Sequence, residues 1–231
     1  MEHSELIEIL DAADMVLVGM GEDFEGKEAL EQNEDYLKVC GEIADAGMEW
    51  IMPYVNRYFS EKNEKLQMAL QALKKLLDKR NYFVVSVCMN GMAAETGILP
   101  ERMTEPCGSY TKLQCASGCE GSILPVETMF LKEIEKCIRG EKEWRMLETP
   151  VCEQCQSPMV FNSLYAEHYA EEGYKAGWER YTKWLQGTLG KKLCVLEFGA
   201  GLMFAGILRF RVEKIVALNQ KAGIVRIHRS L

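Results

Sequence analysis

Three histidines and six prolines are all that 231 residues contain, and basic side chains are outnumbered 27 to 35 by acidic ones. A net charge of -8 excludes a basic face for neutralising phosphates, so nucleic acid is not the expected partner. The longest mostly apolar stretch, 193–208, is interrupted by Glu197 and falls short of the roughly 20 apolar residues that a spanning helix needs. The first residues, Met-Glu-His-Ser-Glu, are acidic where a secretory leader is basic. No internal repeat and no low-complexity tract is visible. These absences favour a protein of the cytoplasm, with no membrane and no nucleic acid as partner.

Cysteine, by contrast, is plentiful. An odd count of nine, in a reducing compartment, points to metal ligands and buried free thiols rather than to a disulfide framework. Two pairs stand out: Cys115-Ala-Ser-Gly-Cys119 and Cys152-Glu-Gln-Cys155. Each short loop brings two sulfurs to one edge of a tetrahedron, and Gly118 eases the first turn. A structural zinc held by Cys115, Cys119, Cys152 and Cys155 is the expected outcome; a redox dithiol or plain buried thiols are the alternatives.

Hydrophobic periodicity places the rest. Residues 4–14 and 61–80 carry apolar positions at helical spacing, and 169–185 reads as a helix rich in Trp178, Tyr181 and Trp184. An unbroken apolar run at 15–18, a short β-branched and aromatic run at 82–87, and the stretches 193–198 and 224–227 read as strands. Strands alternating with helices imply an α/β fold, a Rossmann-type parallel sheet with helices on both faces. Ligands of such sheets bind at the strands' carboxyl ends. The segment 22–49 reads as a mobile or helical acidic surface segment. Periodicity breaks down from about 107 to 165, which gives a division into 1–106 with 166–231 as the nucleotide-binding sheet and 107–165 as an inserted zinc ribbon.

Two glycine turns follow strands: Gly19-Met20-Gly21 and Gly199-Ala200-Gly201. Glycine lets the backbone approach a diphosphate, although a two-glycine turn also serves simple loop geometry. The second turn, within Leu196-Glu197-Phe198-Gly199-Ala200-Gly201, has the look of a methyltransferase's first motif. About thirty residues follow it, too few for the strand-helix units that fold requires.

Order and spacing make the chain resemble the sirtuins, from about Asp11 to Ile227. Their Gly-Ala-Gly loop corresponds to Gly19-Met20-Gly21. Their Gln-Asn-Ile-Asp-Gly motif falls on Val87-Cys88-Met89-Asn90-Gly91, and their His-Gly motif, eight residues before the first zinc cysteine, on Cys107-Gly108. Their Gly-Thr-Ser-Leu turn falls on Gly199-Ala200-Gly201-Leu202. The stretch from Ser109 to Cys115 and the segment 196–201 look most like the bacterial macrodomain-linked branch, which is associated with protein ADP-ribosylation.

The resemblance implies a cleft for NAD or ADP-ribose formed by Gly19, Gly21, Glu22, Cys88, Asn90, Cys107, Gly199, Gly201, Leu202 and His228. It also changes the chemistry expected there. Cys107 stands at the position of the histidine base, Cys88 at that of the Asn and Asn90 at that of the Asp. Glu22 and Asp23 place carboxylates where a diphosphate approaches, and His228 stands where the family's adenine-ribose Asn lies. The expectation is a sirtuin-like protein that binds NAD or ADP-ribose without ordinary deacylation. The alternatives are an active NAD-dependent ADP-ribosyltransferase or deacylase with a protein acceptor or a macrodomain-type partner, and an interaction scaffold without a nucleotide.

Overall fold

The computed structural model describes residues 3–228. Five parallel strands form the central sheet: β1 (Met15–Met20), β2 (Tyr82–Ser86), β3 (Met103–Thr104), β7 (Leu193–Phe198) and β8 (Ala222–Ile227). Their spatial order is β3-β2-β1-β7-β8. Every residue of β1 and β2 is buried, as expected for strands covered on both faces.

Alternation along the strands sorts the core into two layers. Val16, Val18, Tyr82, Val84, Cys194 and Leu196 face helices α1 (His3–Asp11) and α5 (Glu64–Leu77). Met15, Leu17, Phe83, Val85, Leu193 and Val195 face α8 (Glu172–Gln186) and α9 (Arg209–Leu218). In α5 the buried residues are Leu66, Leu70, Leu73 and Leu77, a single stripe at helical spacing. Asn63 starts that helix by accepting the Leu66 amide at 3.1 Å.

A second body has its own core. An antiparallel ribbon in the order β5-β4-β6, made of β4 (Gly108–Cys115), β5 (Leu124–Pro125) and β6 (Met159–Ser163), leads into α7 (Thr128–Ile138). Against it pack α2 (Lys27–Leu30), α3 (Glu34–Ala46) and α4 (Met52–Ser60) through Leu30, Tyr36, Val39, Ile43, Tyr54 and Val55. Phe161 lies among Trp50, Tyr54, Tyr110 and Phe130, with ring centroids 5.5 to 6.4 Å away. Tyr54 also donates to Glu135 Oε1 at 2.8 Å, tying α4 to α7. The acidic segment expected on the surface is therefore helical, and its apolar stripe is buried against the ribbon. The short helix α6 (Met92–Glu95) caps the end of β2. No helix among the described residues is long and apolar enough to cross a membrane.

Candidate functional site

The sheet changes direction between β1 and β7: from β1 the chain builds outward through β2 to β3, and from β7 it builds the other way to β8. Both strands run parallel in register, with Gly19 beside Glu197 and Met20 beside Phe198. Their carboxyl ends form the topological switch point, where open α/β sheets bind ligands. Both glycine turns are brought there. The Gly21 amide donates to Phe198 O at 2.8 Å, and a side chain at Gly21 would lie 2.2 Å from Ala200 Cα. Only glycine permits that approach.

Of the residues expected to meet a nucleotide, most converge on this point. Cys88 lies just beyond β2, fully buried, and its thiol donates to Gly21 O at 3.1 Å. Asn90 donates through Nδ2 to Phe24 O at 2.8 Å and accepts the Met92 amide at 3.1 Å, starting α6. Its carboxamide is thus used at both ends. Cys107 has 0% exposure, and burial, with Glu25 adding to it, pushes its thiol up to about 12. Burial also drives the Cys88 thiol well above its ordinary value.

The segment after β1 makes the remaining contacts. Glu22 Oε1 accepts the Met203 amide at 3.3 Å and fills the space beside Gly201. The Asp23 amide donates to Gly199 O at 3.1 Å, and its carboxylate lies 3.7 Å from His228 Nε2. Gly19 sits within the strand. Leu202 is 73% exposed.

Two carboxylates that the sequence pattern did not single out belong to the same region. Glu25 is buried and accepts the Met89 amide. Burial raises its carboxyl to about 7, against the opposing pull of that amide and of Lys27. Burial also raises Glu105 to about 7, countered by Lys112. Nothing in composition distinguishes Glu25 from its acidic neighbours; its only signal is its place between Phe24 and Gly26. Glu197 is a further buried carboxylate, held by Arg226 at 3.0 Å and Arg209 at 3.5 Å, with Arg226 shared with Glu213 at 2.6 Å.

The four cysteines of the ribbon do come together. Their sulfurs all lie within 4.8 Å of one another, and Cys115 and Cys155 are 3.4 Å apart. A tetrahedral zinc with bonds of about 2.3 Å needs sulfur separations of about 3.8 Å, so the cluster fits the metal. Both loops are built as turns. The Gly118 amide returns to Cys115 O at 3.0 Å with φ of 73°, and the Gln156 amide to Cys152 O at 2.8 Å with φ of 61°. Ser117 and Ser157 join the loops through their hydroxyls at 2.8 Å. Ser157 also pulls the Cys155 thiol down to about 6, while hydrogen bonds with Cys155 and Cys115 push Cys119 up to about 12. Four close thiols without a cation resist a second ionisation, and a dication removes that resistance. None of the nine cysteines is in a disulfide.

A parallel sheet with a loop convergence at its switch point, beside a four-thiol ribbon, defines a class: α/β proteins with a Rossmann-type sheet and a four-cysteine insert. Among solved structures the chain is similar to one described for sirtuin substrate affinity, with a TM-score of 0.57 and 15% identity, covering 99% of this chain and 86% of that one. It matches Sir2Tm bound to a propionylated peptide with a TM-score of 0.57 and 14% identity, over 100% and 88% of the two chains. A Sir2 complex with an inhibitor, 2'-O-acetyl-ADP-ribose and a deacetylated p53 peptide gives a TM-score of 0.54 and 14% identity, over 97% and 86%. The fold is the sirtuin fold, and the chain is sirtuin-like.

No protein-family model matches it. A curated relative, a probable bifunctional ADP-ribose hydrolase/ADP-ribosyltransferase of Fusarium oxysporum f. sp. cubense, is 26% identical over 140 residues. The match takes in 58% of this chain and 23% of that protein, so the chain spans under a quarter of its length.

Proposed function

We propose that this chain is a zinc-stabilised sirtuin-fold protein that binds NAD or ADP-ribose at the β1/β7 switch point and does not perform the family's deacylation. The observation that carries the reading is Cys107. A thiol held at about 12 leaves on the order of one molecule in 10⁵ as thiolate at pH 7, so it cannot replace a neutral imidazole as base. Asn90 spends one amide hydrogen on Phe24 O and one lone pair on the Met92 amide, so its carboxamide is oriented by the chain itself. Support for the nucleotide comes from the switch-point convergence and from the ADP-ribose chemistry named for the relatives. Nine free thiols agree with a reducing cytoplasmic setting.

The test uses zinc-loaded protein with NAD and an acyl-lysine peptide. Nicotinamide release is expected at background, and equally low in Cys107→Ala, while millimolar ADP-ribose or NAD raises the melting temperature. Turnover that falls in Cys107→Ala overturns the loss of catalysis. No thermal shift with either ligand removes the nucleotide and leaves a scaffold.

The curated relative's name favours one second reading, an NAD-dependent ADP-ribosyltransferase whose acceptor protein supplies the nucleophile, working with a macrodomain-type partner. Base catalysis counts for least in that reaction. ADP-ribose transfer from labelled NAD to an acceptor, unaffected by Cys107→Ala, distinguishes it.

A further inference from the structure

Five consecutive residues, Gly21 to Glu25, engage five of the eight groups outside this segment that were assigned above to the nucleotide cleft: Cys88, Asn90, Gly199, Gly201 and His228. Gly21 O takes the Cys88 thiol. Glu22 takes the Met203 amide and packs beside Gly201. Asp23 takes up Gly199 through its amide and His228 through its carboxylate. Phe24 O takes the Asn90 carboxamide, and Glu25 takes the Met89 amide.

We propose that Gly21–Glu25 is a strap that holds the cleft shut by filling it with the chain's own acceptors, and that a nucleotide enters only when the strap lifts. The proposal rests on the reading that this cleft is the nucleotide site, and it adds how that site is regulated. The strap imitates the ligand: a carboxylate of Glu22 satisfies the Met203 amide that an anionic diphosphate oxygen would otherwise accept. Carboxylate and diphosphate cannot share one donor, and their like charges repel.

The strap also has two ends at which it can turn. It starts at Gly21, where the chain leaves β1, and stops at Gly26, which has φ of 73° and lies in the left-handed region open to glycine. Its two halves are held unequally. Phe24 and Glu25 are anchored to buried groups, whereas Glu22 and Asp23 make longer contacts near solvent. Opening therefore starts from the outer half.

A ligand that binds only the open form has its apparent affinity reduced by the open fraction. Glu22→Ala with Asp23→Ala removes the outer side-chain contacts, leaving only the backbone bond from position 23 to Gly199, without adding any new group. Two readouts on zinc-loaded protein test it. Calorimetry with ADP-ribose is expected to show about tenfold tighter binding than in the parent. Alkylation by iodoacetamide, mapped by mass spectrometry, is expected to speed up at Cys88, which the strap covers, and not at Cys194, which is buried inside the sheet core.

Unchanged alkylation at Cys88 overturns the strap whatever the nucleotide does. Equal acceleration at Cys88 and Cys194 also overturns it, because the sheet rather than the strap is then opening. Acceleration at Cys88 alone, with no heat from either NAD or ADP-ribose, upholds the strap and removes the nucleotide reading. Should the double variant fail to retain zinc, His228→Gln alters the outer Asp23–His228 contact from the opposite side and is read in the same way.

Discussion

Glu25 shows how much a single side chain can set here. A carboxyl group released near pH 4.5 in the unfolded chain keeps its proton to about 7 in the folded one, because burial disfavours the charge. Between those values the folded state holds more protons, so stability falls as pH rises from about 4.5 to 7 and is level above. The neighbours that act on Glu25 or feel its charge are Lys27, Tyr36, Cys88, Glu105, Cys107 and Tyr165. Glu105 titrates in the same direction but is common to both proteins compared. Glu25→Gln keeps an oxygen for the Met89 amide and removes the titration. With zinc saturating, the loss of stability between pH 5.5 and 8 should shrink in this variant by on the order of 1–3 kcal/mol. Urea unfolding at the two pH values measures it; an unchanged difference would show that Glu25 ionises freely in place.

The elements differ in how far the sequence disclosed them. Strands β1, β2 and β7 were legible because a strand covered on both faces has to be continuously apolar, and the helices α1, α5 and α8 because each buries one stripe. Strands β3 and β5, of two residues each, carry too little pattern to detect. In α3 the interspersed charged residues hide a stripe of Tyr36, Val39 and Ile43 whose partner is the ribbon more than sixty residues away. The clustering of the four cysteines was legible, since two short loops of thiols fix their geometry locally. The state of the switch-point loops was not legible, because the engagement of Asn90 by Phe24 and Met92, of Glu22 by Met203 and of Asp23 by Gly199 and His228 is a tertiary fact. Local rules still make a firm prediction for α5. Asn63 satisfies an otherwise orphaned amide at its start, so Asn63→Ala should cost about 1 kcal/mol and lower the melting temperature by about 2–4 °C. Calorimetry reads the change, and an unaltered transition would mean that the cap is replaced by water.

At the scale of the molecule, two cores lie side by side and only one contains the thiols. Cys115 and Cys152 are part of the core formed by β4, β6, α3, α4 and α7, and Cys119 packs against it. The sheet's two layers contain none of the four. Metal bound between the two loops therefore supports the ribbon and, through Phe161 and Tyr54, the helices laid on it. Such binding contributes on the order of 10 kcal/mol where a small module folds only with its metal. Stripping the metal with a strong chelator should release backbone amides of β4, β6, α3, α4 and α7 to hydrogen exchange together, while β1, β2 and β7 stay protected. Cys115→Ser with Cys152→Ser should reproduce the pattern without a chelator. Exchange confined to the two cysteine loops would show that the aromatic core stands without metal, and equal loss across the sheet would show that the two cores fold as one.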